Sequence, residues 1–268
     1  MAGLLLSQLV KIADKLYPFE LAEPWDNVGI QIGDPGRTIE RIAFSLDPSV
    51  GTLDFASQNL CTLLITHHPV LLEPITNLVT TQYQARILVH AARLGIDILS
   101  LHTNFDAAPG GLNDHLARLM ELREVRVPDN AGCARVGLLP FPVSLENFAE
   151  RLSEIFQVNT IRLIRSRNKP VERVFCVSGS GMSYLPQAVS SGADVMVTGD
   201  VRYHAAIEAL SAGIPIIDCG HFHLEKMSPQ VMATAFCEAL SELEGEVECI
   251  QCEEEKDPFL QWKILDNK

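Results

Sequence analysis

Apolar positions recur along this chain at two spacings. Leu5, Leu9, Ile12 and Leu16 fall three or four apart, which predicts an amphipathic helix over Leu4 to Leu16, closed by Tyr17-Pro18. Elsewhere the apolar residues come in short unbroken runs, near 42–46, 62–66, 96–101, 173–178, 194–198 and 214–218, with helical stretches between them. Runs of that kind are buried parallel strands. The stretch from Glu23 to Gly33 reads as a loop entering a strand, with Trp25 buried beside a turn-forming Asp26, although both could line a pocket. Ala134 to Leu139 and Thr160 to Ile164 are expected strands around a helix from Leu145 to Phe156 capped by Ser144. A helix from Pro229 to Leu243, capped by Ser228, precedes a strand pair at Val247 to Ile250 and Leu260 to Ile264.

The order of these elements repeats. Ile39-Glu40-Arg41-Ile42 answers Val171-Glu172-Arg173-Val174 at an offset of 132, and Leu63 to His68 answers Val195 to Asp200 at the same offset. Five identities in 30 gapless positions are weak alone, but each half reads strand, helix, strand, helix, strand. With a 14-residue shortening, Leu94 to Leu99 also matches Ala212 to Ile217. The fold class is therefore α/β, built from two related βαβαβ units. Pro128 and the Pro140-Phe141-Pro142 run place a boundary near residue 126.

At 268 residues the chain is long enough for one large or two smaller domains. Its apolar runs are too short to span a bilayer and its N-terminus lacks a basic region and cleavage site, so the expected location is the cytoplasm. A net charge of −13 argues against general nucleic-acid or anionic-membrane binding. Seven scattered cysteines do not form a disulfide framework, and Cys249-Ile-Gln-Cys252 is a lone CxxC without a second pair. The acidic run Glu253-Glu254-Glu255 reads as solvated surface.

Chemistry gathers where strands stop. Leu63 to Thr66 runs straight into His67-His68-Pro69, and in α/β sheets ligands bind beyond the carboxyl ends of strands. Alone, that run is as compatible with a capping or core histidine pair. Ile96 to Leu101 leads to Asp106, and Ile214 to Ile217 leads to His221 and Glu225, which share a face if a helix starts there. Three imidazoles and two carboxylates exceed one tetrahedral catalytic site with an open position, and suit two ions roughly 3.5–4 Å apart. Asp200 is a candidate cap for the helix carrying His204, and His204 a candidate proton donor; the two are the catalytic candidates. His90 and His115 receive no role.

The runs Trp25-Asp26-Asn27-Val28-Gly29, Ile65 to Pro69, His102-Thr103-Asn104-Phe105-Asp106, Thr198 to His204 and Asp218 to Glu225 resemble the signature stretches of the GTP cyclohydrolase 1 type 2 homologue family, the NIF-three-like dinuclear metal proteins. The resemblance implies two intertwined, pseudo-symmetric α/β subdomains, here residues 1–125 with 215–268, and 126–214. It implies a ring-shaped homohexamer, and His67, His68, Asp106, His221 and Glu225 as ligands of two divalent ions. Zinc, iron, manganese or cobalt would suit them. His223 departs from the pattern and leaves open which histidine binds.

The loops Val177 to Ser183 and Pro109 to Asn113 offer backbone N–H groups to a phosphate. The expected function is a metal-dependent hydrolase of a small phosphorylated or nucleotide-like substrate; the alternative is a non-catalytic metal-binding scaffold that docks proteins.

Overall fold

The computed structural model describes residues 3–242, 247–252 and 255–259. Two sheets carry the chain. The first has the order Glu248–Gln251, Arg41–Ser45, Leu63–Thr66, Asp97–Ser100, Gly29–Ile32, parallel except for the last strand. The second has the order Arg123–Arg126, Arg135–Val143, Val171–Cys176, Val195–Thr198, Ile216–Asp218, Arg162–Ile164, with its three central strands parallel. The six apolar runs are thus strands, three adjacent in each sheet and in the same order.

The duplication reaches further back than the sequence match. In each half a strand that precedes the three parallel ones in the chain crosses to the far side and pairs antiparallel with the third of them: Gly29–Ile32 beside Asp97–Ser100, and Arg162–Ile164 beside Ile216–Asp218. Ile32 and Ile164, the ends of these strands, also stand 132 residues apart. Sheet membership does not follow the expected divisions at 126 and 214 to the residue, because Arg123–Arg126 and Ile216–Asp218 are both strands of the second sheet.

Alternation along the strands splits each core into two layers. Ile42, Phe44, Leu63 and Ile65 bury one face of the first sheet, and Ala43, Leu64 and Ile98 the other. Val174, Val195 and Ile217 face one way in the second sheet, and Phe175, Met196 and Ile216 the opposite way. The halves are intertwined: Leu116 and Ala117 of the helix Leu112–Leu119 pack into the second core, whereas Met232 and Phe236 of the helix Ser228–Ser241 return to the first.

Local expectations hold at the helix Leu145–Phe156, where Ser144 Oγ accepts the N–H of Asn147. The first helix is Leu6–Leu16, Leu4 and Leu5 forming a short strand with Thr38–Ile39. Ser228 is not a cap. It is the first residue of its helix, and its hydroxyl is buried without a hydrogen-bond partner. Asp200 does not cap the helix Tyr203–Ala212 either, since its carboxylate is turned to His221. The expected strand at Leu260 to Ile264 lies outside the described residues, as do Leu243, Glu253 and Glu254. Cys61, Cys133, Cys176, Cys219, Cys237 and Cys249 stand outside any disulfide. No helix among the described residues is long and apolar enough to cross a membrane.

Candidate metal centre

The strand Leu63–Thr66 stops one residue before His67, which releases both histidines to one side. Their ring centroids lie 4.9 Å apart. The strand Asp97–Ser100 delivers His102 and, through the short helix Thr103–Ala107, Asp106. From the second sheet, Ile216–Asp218 leads through Cys219 and Gly220 into the helix His221–Glu225. All five expected ligands meet.

Glu225 is the hub. Its Oε2 lies 2.9 Å from Nε2 of His68, 2.8 Å from Nε2 of His221 and 3.7 Å from Nε2 of His67. Among the described residues three groups have donor atoms mutually within 4.8 Å: His68 with His221 and Glu225; His67 with Asp106 and Glu225; and His67 with His68 and His102. Sequence reasoning missed His102 as a member of this cluster. It stands past a strand end like the others, and that position was the available signal.

Each histidine is oriented through Nδ1. That atom bonds to Leu101 O at 3.0 Å in His67, Asp47 Oδ1 at 2.8 Å in His68, Asp26 Oδ1 at 2.9 Å in His102 and Asp200 Oδ2 at 2.8 Å in His221. A carboxylate or carbonyl on Nδ1–H fixes the ring's orientation and turns Nε2 inward, where it becomes a lone-pair donor to a metal once any proton on it is lost. Asp26 is held further by the N–H and hydroxyl of Thr103. Burial would raise its carboxyl, but His102 and Thr103 bring it down to about 2.

The residues fit a cation. His67 Nε2 and Asp106 Oδ1 are buried atoms without hydrogen-bond partners, and they face each other at 3.9 Å. That is too long for a hydrogen bond. Donors each about 2.1 Å from one ion stand roughly 3–3.5 Å apart, a spacing reached by small adjustment. Burial pushes the Asp106 carboxyl up, whereas the surrounding imidazoles hold Glu225 well below the ordinary carboxylate range against its own burial.

A cavity of about 580 Å³ opens on the cluster, lined among others by Glu23, Trp25, Tyr184 and the Val177–Gly181 loop. Trp25 is not buried as expected; it is 58% exposed and stands edge-on to His102 with centroids 5.9 Å apart. In the loop, Ser178 N–H is taken by Asn113 and Gly181 N–H by Thr198. In the other candidate phosphate loop, Gly110 N–H donates to Asp114. His223 is absent from the cluster and pairs with Asp257 at 3.2 Å, so His221 is the cluster's histidine. His204 is exposed and lines neither this cavity nor the second one beside His68 and His221.

Fold and site together define a duplicated α/β protein with a histidine–carboxylate cluster where its halves meet. The family described as Duf34/NIF3 (NGG1p interacting factor 3) matches residues 4–258, and the chain belongs to it. Among curated relatives, a GTP cyclohydrolase 1 type 2 homolog of Clostridium perfringens is 29% identical over 265 residues, covering 95% of this chain and 98% of its own. One from Lactococcus lactis is 32% identical over 213 residues, covering 78% and 82%. A crystal structure of a Staphylococcus aureus hypothetical protein superposes with a TM-score of 0.90 at 24% identity, covering 97% of this chain and all of the other, a likeness of fold alone.

Proposed function

We propose that the chain is a metal-dependent hydrolase acting on a small phosphorylated or nucleotide-like substrate, with two divalent ions held by His67, His68, His102, Asp106, His221 and Glu225. The observation that carries this reading is the position of Glu225, whose single Oε2 is shared by three imidazoles. One carboxylate common to two donor groups is what a paired site requires. Bound there, the ions would supply Lewis acidity and lower the pKa of water at neutral pH.

The chain's own residues supply the rest. Asp47, Asp26 and Asp200 orient imidazoles, so the cluster is organised before a ligand arrives. The exposed face of Trp25 offers a flat heterocycle a stacking surface at the cavity. Tyr184 donates its hydroxyl to Glu23 across the same wall, joining the two halves. A recess of this size with an aromatic rim favours a small-molecule ligand over a purely structural cluster.

Self-assembly belongs to the same reading. Tyr203, Ile207 and Leu210 form an exposed apolar stripe along one helix, a surface suited to a second copy of the chain. His204 lies on that helix, so its part as proton donor requires a neighbouring copy's cavity.

The deciding experiment is elemental analysis of chelator-free protein, unmodified and as Glu225→Ala, followed by a screen of nucleotides for hydrolysis. About two ions per chain, falling sharply in the variant, are expected of a paired site. One ion or none, unchanged by the substitution, would remove the basis of the hydrolase reading.

A further inference from the structure

The strand Glu248–Gln251 pairs in parallel with Arg41–Ser45, and the association continues past both strand ends. Cys252 donates its N–H to Phe44 O at 2.8 Å. Glu255, expected to be solvated, instead accepts the N–H of Leu46 at 2.7 Å and of Asp47 at 2.8 Å, one on each carboxylate oxygen. Two charge-assisted bonds to consecutive amides fix a backbone more firmly than either does alone. Leu46 O in turn accepts the N–H of His68 at 3.0 Å. The two-residue segment is therefore clamped between Glu255 and the backbone of His68.

What the clamp holds is the Asp47 carboxylate, which receives Nδ1–H of His68 at 2.8 Å. The opposite nitrogen of that ring is 2.9 Å from Glu225. Further along, Asp257 reaches His223, two residues beyond His221. Asp257 and Phe259 line a second cavity of about 530 Å³ to which His68 and His221 also contribute. Residues 255–259 are thus a strap laid against the histidine cluster.

We infer that this strap is a positioning element for the metal centre: Glu255 fixes Asp47, and Asp47 fixes the direction of His68. The inference rests on reading the cluster as a metal site. Because linkage is reciprocal, a docked strap tightens metal binding and a bound metal holds the strap down.

Zinc affinity, by competition with a chromogenic chelator, and the absorption spectrum of the cobalt-loaded protein are compared for the unmodified chain, Glu255→Ala, Glu255→Gln, Asp47→Ala and the Glu255→Ala/Asp47→Ala double variant. Glu255→Ala is expected to weaken zinc by about 10- to 100-fold, as loss of an outer partner does, and to alter the cobalt spectrum. Glu255→Gln keeps one acceptor oxygen and recovers part of that loss. With Asp47 already replaced, Glu255→Ala adds nothing, because the same path is broken twice. Zinc also slows tryptic cleavage after Lys256 in the unmodified chain. Additive losses in the double variant, full affinity in both Glu255 variants, or cleavage indifferent to zinc would each overturn the inference. Should Glu255→Ala fail to fold, the Gln variant decides the matter alone. Failure of the unmodified chain to bind zinc would sink the metal reading with it.

Discussion

Gly179 stands so close to Glu225 that a Cβ at residue 179 would lie 2.4 Å from Glu225 Oε1 and 3.3 Å from His221 Cε1. The loop of the second half is thereby packed without side chain against the hub of the cluster. Its φ of +57° also lies in the left-handed region.

Gly179→Ala should therefore both strain the backbone and displace the Glu225 carboxylate. Gly95→Ala is the control: its φ is +68°, but nothing lies within 4 Å of the added Cβ. Left-handed geometry costs each substitution about 1–2 kcal/mol of stability, and at Gly179 alone the 2.4 Å overlap with Glu225 adds to that cost. Only Gly179→Ala should lose metal, by an order of magnitude or more in affinity. Equal metal binding by the two variants would show that the close approach does not constrain Glu225.

Much of this arrangement is legible in the order of residues along the chain, for a definite reason. His67, His68, Asp106, His221 and Glu225 each follow an apolar run, and a parallel sheet gathers its strand ends at one edge. The orienting carboxylates are harder to see because pairing across strands is not local in sequence. Asp47 precedes His68 by 21 residues and Asp200 precedes His221 by 21. In both pairs the aspartate lies past one parallel strand and the histidine past the next, with a helix between. An acidic residue at that recurrent place is a readable signal. Ser228 shows the opposite case, because a serine before Pro229 imitates a cap while the helix begins one residue earlier.

Protons should leave when metal arrives. In the ion-free protein burial alone would lower the His68 imidazolium, yet hydrogen bonds and charge from Asp47 and Glu225 outweigh it and raise the group to about 10. At His221, Glu225 and Asp200 likewise overcome burial and the neighbouring His68, and raise it to about 9. Both rings thus carry a proton at pH 7 that a metal ligand must give up. Loading should release about two protons per chain, and apparent affinity should climb with pH until about 9–10 and then level. Below that range protons compete with the ion; above it the rings are already neutral. Titration calorimetry in buffers of different ionisation enthalpy reads the release directly, and a heat independent of buffer would contradict it.

Arg135 is 2% exposed and is expected to be the costliest single cation to remove. Its guanidinium pairs with Asp114 and donates to Gly132 O and Ala134 O at 2.9 Å each, to Ala107 O at 2.8 Å and to Ala108 O at 3.2 Å. Ala107 ends the helix that carries Asp106, so this one side chain of the second sheet ties down an element of the first half that bears a member of the cluster. Arg135→Met keeps much of the volume but leaves buried carbonyls without donors and Asp114 without its partner. Each buried carbonyl left without a donor costs about 1–3 kcal/mol, whereas Asp114, partly exposed and still accepting the Gly110 N–H, loses less. For a chain of this length the total corresponds to a melting temperature lower by about 10 °C. If the tie also positions Asp106, metal affinity should fall in protein that is still folded at about 20 °C, well below the transition. A variant with lowered melting temperature and undiminished metal affinity would confine Arg135 to stability, and unchanged melting would deny it even that.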